Sequence, residues 1–191
     1  MGRKLLFSPV GGTDPVKYFR DGSMLHICRH YRPDMVYLYL SHEMMEYHRK
    51  DNRYLDAIGR LGRHLNHTFK VELIVRDDLT EVQQYDVFYR DFREEIRKME
   101  KEMKAGDELL LNMASGTPTM KSALLVMATL AEYRFKPIQV STPQRKMNAE
   151  HEDRESYDGE LYWELNQDNE EDAPNRCSEV ECLNLMKMFQ V

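Results

Sequence analysis

Two stretches of sequence decide the fold: LLFSPVGGTDP at residues 5–15 and LLLNMASGTP at residues 109–118. Each begins with a short apolar run of the length of a buried strand and passes directly into a turn that contains glycine. In an open α/β sheet, the carboxyl ends of the central strands border the crevice in which ligands bind. We therefore expect the two turns to face one another at one edge of a sheet.

The rest of the chain alternates short apolar runs with stretches of 3.6-residue period, which is typical of repeated strand–helix units. Strands are predicted at 5–10, 35–40, 69–75, 109–112 and 137–140, and helices at 24–31, 54–65, 88–103 and 120–131. The predicted fold class is α/β: a Rossmann-like open, mostly parallel sheet flanked by helices, with a C-terminal hairpin or helix appendage. The helix at 120–131 is apolar nearly all round, which indicates deep burial or a subunit interface.

Composition limits the class of protein. The 191 residues fit one core, and no apolar run approaches the roughly 20 residues that a membrane span needs. The amino terminus lacks the apolar region of a signal peptide, so we expect a cytoplasmic protein. Three cysteines without paired spacing suggest neither a disulfide framework nor a structural zinc site, and we predict no metal and no cofactor.

The acidic residues are concentrated late in the chain. Residues 148–172 hold eleven Asp or Glu and one Arg, which gives this segment a net charge of −10. The whole chain has a net charge of −6, so the remaining residues carry +4 and are mildly basic. This distribution argues against broad binding to duplex DNA, which relies on extended basic patches.

A domain boundary is predicted near residue 145. Residues 1–145 form the ligand-binding domain, and 146–191 form an acidic loop or edge hairpin followed by a connecting or dimer helix. That last helix begins at about Ser178, places Cys182 and Phe189 on one face, and reaches Val191 without a terminating signal. We expect such a helix in the front part of a longer protein.

The two turns have the chemistry of an anion site. Glycines let a ligand approach backbone N–H groups closely, and they occur here as Gly11, Gly12 and Gly116. Pro118 fits the first turn of the following helix, where Thr117 is either the N-cap or a ligand hydroxyl, and Lys121 adds a cation one turn later. A tight turn alone explains one such motif, but two related motifs favour a site.

Other common sites are disfavoured. The chain lacks Gly-x-Gly-x-x-Gly after its first strand, the P-loop spacing, and a Gly-x-Ser-x-Gly elbow, which argues against dinucleotide enzymes and α/β-hydrolases. The histidines at helical positions are interpreted as surface or partly packed groups: His26, His30, His64 and His67.

At these residues the sequence resembles the CARF domain, the CRISPR-associated Rossmann fold, and most closely the version at the front of type III CRISPR ancillary ribonucleases that cyclic oligoadenylate switches on. The resemblance covers about residues 4–143. It rests on PVGGTDP (9–15), DGSMLH (21–26), RHYRP (29–33), VYLYLS (36–41), the 109–118 stretch and QVSTP (139–143), with weaker support from NQDN (166–169).

The resemblance implies a homodimer with a two-fold cleft for a cyclic oligoadenylate of four or six nucleotides. It also implies that ribonuclease activity belongs to a following helical HEPN domain, marked by Arg and a His a few residues later. Two pairs have that spacing, Arg60 with His67 and Arg145 with His151, but the first belongs to the α/β body and the second to a loop. We therefore expect the effector domain to be missing from this chain.

The resemblance assigns the two turns and nearby polar groups to the ligand. The ligand-binding residues predicted are Pro9, Val10, Gly11, Gly12, Thr13, Asp14, Ser41, Asn112, Ser115, Gly116, Thr117, Pro118, Lys121, Gln139 and Thr142. Of these, Ser41, Asn112, Gln139 and Thr142 would contact adenine edges. Tyr18, Tyr37 and His42 are candidates for base stacking, although strand packing or solvated surface is the favoured interpretation of all three.

Three interpretations of function stay open. The leading one is a homodimeric sensor domain that regulates an effector. Slow opening of the ligand ring is a separate hypothesis, with Thr13, Ser115 and Thr117 as the hypothetical catalytic hydroxyls. The alternative is a stand-alone, metal-independent cyclic oligoadenylate phosphodiesterase, that is, a ring nuclease. The third is a sensor that controls a DNA-binding partner, which would need a winged-helix or other basic recognition helix that is not found after Pro143.

Overall fold

The computed structural model describes residues 2–79, 84–130, 135–142 and 156–180. The strands are β1 (Lys4–Pro9), β2 (Val16–Lys17), β3 (Arg20–Asp21), β4 (Met35–Ser41), β5 (Lys70–Arg76), β6 (Glu108–Asn112), β7 (Lys136–Val140) and β8 (Cys177–Glu179). The helices are α1 (Ser23–Tyr31), α2 (His42–Asp51), α3 (Arg53–Leu65), α4 (Tyr85–Glu102), α5 (Pro118–Leu130) and α6 (Gly159–Leu165), followed by a 3₁₀ turn at Gln167–Asn169.

Six strands form one sheet in the order β5-β4-β1-β6-β7-β8, and β2 pairs with β3 in a separate hairpin. All neighbours in the large sheet are parallel except β7 and β8. The chain moves outward from β1 to β4 and β5, then crosses to the other side of β1 for β6 and β7. The carboxyl ends of β1 and β6 therefore meet at the switch point of the sheet, where α/β proteins bind their ligands.

The sheet is covered on both faces. Leu6 and Leu38 point into one apolar layer with α1 and α3, whereas Phe7 and Tyr39 point into the other layer with α4 and α5. Parallel strands buried on both faces carry nearly continuous apolar sequence, because neither face meets water. The predicted fold class and the five predicted parallel strands are confirmed.

Three local predictions differ from the structure. The polar helix α2 was not predicted, since only Met44 and His48 of its ten residues are buried. The acidic segment expected as a loop or hairpin contains α6, which Asp158 caps by accepting a hydrogen bond from the Leu161 N–H at 3.1 Å. The predicted helix at Ser178 is wrong there, because Cys177–Glu179 pairs with β7 as an antiparallel strand.

Other predictions cannot be compared with the structure. The remainder of the C-terminal helix, the boundary near residue 145, and the pair Arg145 and His151 lie outside the described residues. Over the residues that are described, no helix is both long and apolar enough to cross a bilayer.

Helix α5 has apolar side chains on both of its faces. Met120, Leu124 and Met127 are buried against the sheet, while Leu125 is 49% exposed and Val126 is 37% exposed. Of the two interpretations offered for this apolar helix, deep burial therefore holds for one face only. The other interpretation, a subunit interface, stays a prediction for the exposed outer face.

Candidate functional site

The turns after β1 and β6 touch through their backbones. A Cβ atom at Gly11 would lie 2.7 Å from the backbone nitrogen of Gly116, which is closer than any real contact. Gly116 has a φ of +100°, and a Cβ there would lie 2.9 Å from Met120 Sδ and 3.2 Å from Pro9 Cβ. Both glycines are thus required by geometry, and the turns pack together as the sequence predicts.

A cavity of about 300 Å³ opens beside these turns. It is lined by Val10, Gly11, Gly12, Thr13, Ser41, Glu43, Met44, Ala114, Gly116, Thr117, Met120 and Lys121. Most of the predicted ligand-binding residues therefore share one pocket. Sequence reasoning missed Glu43, Met44, Ala114 and Met120, of which the first two belong to the unpredicted helix α2.

One wall of the pocket carries hydrogen-bond donors and positive charge. Thr117 caps α5, because its Oγ1 accepts a hydrogen bond from the Met120 N–H at 3.3 Å and its carbonyl accepts one from the Lys121 N–H at 3.0 Å. The amino end of a helix attracts anions, and Lys121 places an exposed cation in the first turn. This wall is suited to a phosphate group.

Asp14 holds the two turns and α1 together from beneath. Its carboxylate accepts hydrogen bonds from the Gly11 N–H at 2.9 Å, the Ser115 hydroxyl at 2.8 Å and the Met24 N–H at 3.2 Å. Burial raises the pKa of Asp14, against these hydrogen bonds, which lower it. Asp14 is therefore a positioning residue beneath the pocket.

Asn112 and Ser115, which are predicted to contact ligand, are buried and do not line the cavity. The Asn112 amide donates to Ser8 Oγ at 2.9 Å and accepts from the Ala114 N–H at 2.9 Å, and its side chain is fully buried. Ser115 is 1% exposed and also hydrogen-bonds Ser23. Their polar groups are already satisfied inside the protein, so they stabilise the turns.

The remaining predicted contacts lie elsewhere. Gln139 is exposed on β7, where it pairs with Ser178, and Thr142 is exposed two residues after β7 ends. Tyr37 is 6% exposed within the α4 and α5 layer and packs as an ordinary strand residue. Tyr18 lies in the β2–β3 turn, and His42 is the first residue of α2. Neither Gln139 nor Thr142 lines the cavity.

A buried charge network lies behind the first turn, and the sequence did not predict it. His26, expected near the surface, is fully buried, with Nδ1 2.9 Å from Asp21 Oδ2. Its Nε2 accepts the Arg176 backbone N–H at 3.1 Å, so Nδ1 carries the proton and donates it to Asp21. Arg29 donates to the same carboxylate at 2.7 and 3.0 Å.

The network joins β3 to the segment after α6. Asp168 Oδ2 accepts hydrogen bonds from the Asp21 N–H at 2.7 Å and from Arg176 at 3.0 Å. Asn166 donates to Asp21 Oδ1 at 2.8 Å. Two carboxylates and a histidine resemble a metal-ligand set, but two arginines already balance the carboxylates. The cluster is therefore a structural ion-pair network that fixes β3 to the segment after α6.

This network predicts acid sensitivity. Burial would raise the pKa of Asp21, but hydrogen bonds from His26, Arg29 and Asn166 and the charge of Arg29 lower it from 3.8 to about 2. A lowered pKa in the folded state contributes stability above pH 3.8 that is lost as the pH falls toward 2. We expect the melting temperature to fall over this range, because Asp21 loses a contribution of about 2 kcal/mol to the free energy of unfolding.

The measurement is a series of thermal melts from pH 5 to pH 2. The variant Asp21→Asn, which has no carboxyl group to titrate, should show a flatter profile over that interval. An equally steep profile in the variant would assign the acid sensitivity to other carboxylates.

The fold and the pocket define a Rossmann-like domain with a candidate ligand site at the switch point of its sheet. The chain belongs to the Csm6 CARF family, because the family model of the Cas_Csm6 CARF domain matches residues 70–177, more than half of the chain. The resemblance stated from the sequence motifs is confirmed.

Individual relatives agree with this assignment. The chain is 39% identical over 178 residues to the CRISPR system endoribonuclease Csm6 of Mycobacterium tuberculosis and 32% identical over 182 residues to that of Enterococcus italicus. These matches cover 92% and 94% of this chain, but only 41% and 42% of the relatives. The chain thus spans about two fifths of the length of these curated relatives.

A solved structure matches the fold over nearly the whole chain. Enterococcus italicus Csm6 bound to cyclic hexa-2′-fluoro-hexa-dAMP superposes with a TM-score of 0.78 at 26% identity. The match covers 96% of this chain and 43% of that one.

Proposed function

We propose that this chain is the cyclic oligoadenylate-binding sensor domain of a cytoplasmic, type III CRISPR-associated ribonuclease. The observation that carries the proposal is the pocket beside the two touching turns, with the α5 amino terminus, Thr117 and Lys121 on one wall. The Enterococcus italicus relative, bound to a cyclic hexanucleotide analogue, supports the same class of ligand here.

The size of the pocket favours a homodimer. A cavity of about 300 Å³ is at the small end of sites for drug-sized ligands, so it has room for a nucleotide unit rather than for a ring of four or six. A symmetric ring is matched by a two-fold interface that repeats the same contacts. The exposed Leu125 and Val126 on α5, which begins at the pocket, offer an apolar surface for such an interface.

Ligand binding is tested by thermal-shift titration with cyclic oligoadenylates of three to six nucleotides. A ligand at about 100 times its Kd stabilises the folded state by about 2.7 kcal/mol, or about 5–10 °C for a chain of this size. We expect one ring size to give this shift and Thr117→Val to lose most of it. No shift with any ring would contradict the proposal.

Thr68→Val is the matched control. It makes the same substitution at an exposed residue just before β5, at the amino ends of the strands, and Thr68 does not line the pocket. Its response to the ring should equal that of the wild type.

Slow ring opening is a second activity of the proposed pocket. In this step the ribose 2′-oxygen attacks the adjacent phosphorus as the P–O5′ bond breaks, leaving a 2′,3′-cyclic phosphate and a 5′-hydroxyl. The step depends on in-line geometry and on donors near the developing charge. Thr13, Thr117 and Lys121 are placed to supply donors, whereas Ser115 is held by Asp14 and Ser23.

Incubation of the pure chain with the bound ring in EDTA tests this activity. We expect slow formation of linear product, reduced in Thr13→Val and in Thr117→Val when the ring is saturating. If no linear product forms, the domain binds its ring without opening it.

A further inference from the structure

The pocket has a second wall with the opposite chemistry. Ser41, Glu43 and Met44 line it from the end of β4 and the first turn of α2. An ionised carboxylate only accepts hydrogen bonds, and it repels the phosphates that Thr117 and Lys121 attract across the cavity. Glu43 is exposed, and on this wall its carboxylate favours a ligand group that donates hydrogen bonds.

Glu43 has acceptor capacity to spare. Its closest hydrogen bond comes from the Tyr47 hydroxyl at 3.4 Å, which is long for an O–H···O bond. Within the described ranges the structure gives Glu43 no ion pair, although Lys121 lines the same cavity. A carboxylate has about four lone-pair sites, so most of its capacity can be directed to a ligand.

The surface beside Glu43 is suited to a purine ring. Met44 and Met120 both line the cavity, and thioether side chains make favourable contacts with aromatic rings. Met44 is 8% exposed and Met120 is 1% exposed, so together they form an apolar floor rather than a slot. A base resting on this floor can turn one polar edge toward the exposed Glu43 carboxylate. In adenine that edge carries the exocyclic N6 amine, which donates, whereas in guanine and hypoxanthine the same position carries an oxygen, which accepts.

We propose that Glu43 is a specificity-determining residue that selects adenine by accepting a hydrogen bond from the N6 amine. This inference rests on the proposed function and names the group that reads the base. Lys121 and the α5 amino terminus bind the phosphate, and Glu43 rejects a base that presents an acceptor.

The test compares two rings of the size to which the wild type responds: the adenylate ring, and an analogue in which hydrogen replaces every N6 amine. The wild type should bind the adenylate ring about 10-fold more tightly, the range of one good base contact. Glu43→Ala should bind the two rings within about 2-fold of one another.

Glu43→Gln removes the negative charge and adds a hydrogen-bond donor while keeping the size of the side chain. Its amide can accept from the N6 amine or donate to an oxygen at that position. It should therefore bind the adenylate ring within about 3-fold of the wild type while losing the rejection of a cyclic oligoinosinate. Glu46→Gln is the control, because Glu46 lies one turn along α2, pairs with the exposed Arg49 at 3.0 Å, and does not line the pocket.

The outcomes are distinguishable. A wild type that binds no adenylate ring would remove the proposed function together with the role of Glu43. A wild type that binds, with Glu43 variants that discriminate as well as the wild type, would overturn the inference about Glu43 alone. Variants that lose preference for ribose over 2′-deoxyribose rings, rather than for adenine, would also overturn it, because the carboxylate would then read the 2′-hydroxyl.

Discussion

Gly11→Ala is expected to lower the affinity for the cyclic oligoadenylate about 100-fold, equivalent to about 3 kcal/mol of binding free energy. The new Cβ would lie 2.7 Å from the Gly116 nitrogen and 3.2 Å from its Cα, so one turn must move away from the other. Both contacts are with backbone, which cannot rotate aside as a long side chain can. The displacement would separate the amides and hydroxyls that line the two sides of the pocket.

Isothermal titration of the variant and the wild type with the ring measures this effect. Gly59→Ala is the matched control, because its Cβ would make only an ordinary contact, 3.5 Å from an Arg63 nitrogen, in the middle of α3. It should keep the wild-type affinity and gain some stability from the loss of a helical glycine. Thermal melts show whether Gly11→Ala is folded, and a folded variant with wild-type affinity would contradict the assignment of the site to these turns.

The sheet and the two turns could be predicted because their signals are local. An apolar run such as residues 109–112 has the length and composition of a buried strand, and glycine after it permits the φ of +100° that Gly116 adopts. Two such junctions in one α/β pattern are enough to place a site at the switch point.

The sequence could not show which polar side chains face the pocket and which form hydrogen bonds inside the protein. Asn112 ends β6 whether its amide faces a ligand or accepts the Ala114 N–H, and the sequence is the same in both cases. Glu43 was missed because α2 is a polar helix whose only inward signals are Met44 and His48. His26 was assigned to the surface because the segment that covers it is distant in sequence: Arg176, whose N–H donates to Nε2, lies 150 residues away.

Asp21→Ala is expected to destabilise the folded chain more than any surface substitution. The fully buried Asp21 carboxylate is the shared acceptor for His26, Arg29 and Asn166, so its removal leaves two cationic or polar side chains and an amide without their partner in the interior. Removing one member of a buried ion pair costs about 3–5 kcal/mol, which lowers the melting temperature by roughly 6–20 °C for a chain of this size.

Thermal melts near pH 7 measure this loss, with Asp77→Ala as the control. Asp77 also pairs with an arginine, Arg49 at 2.7 Å, but both side chains are nearly half exposed. Such surface pairs contribute about 0–1 kcal/mol, so the control should melt within about 4 °C of the wild type. The Asn166 amide donates to the Asp21 carboxylate at 2.8 Å, which ties the segment after α6 to β3. Because Asp21→Ala removes this hydrogen bond, hydrogen exchange should also rise at Asn166–Asn169. An Asp21→Ala chain that melts with Asp77→Ala and keeps that segment protected would show that the arginines hold the two parts together without the shared carboxylate.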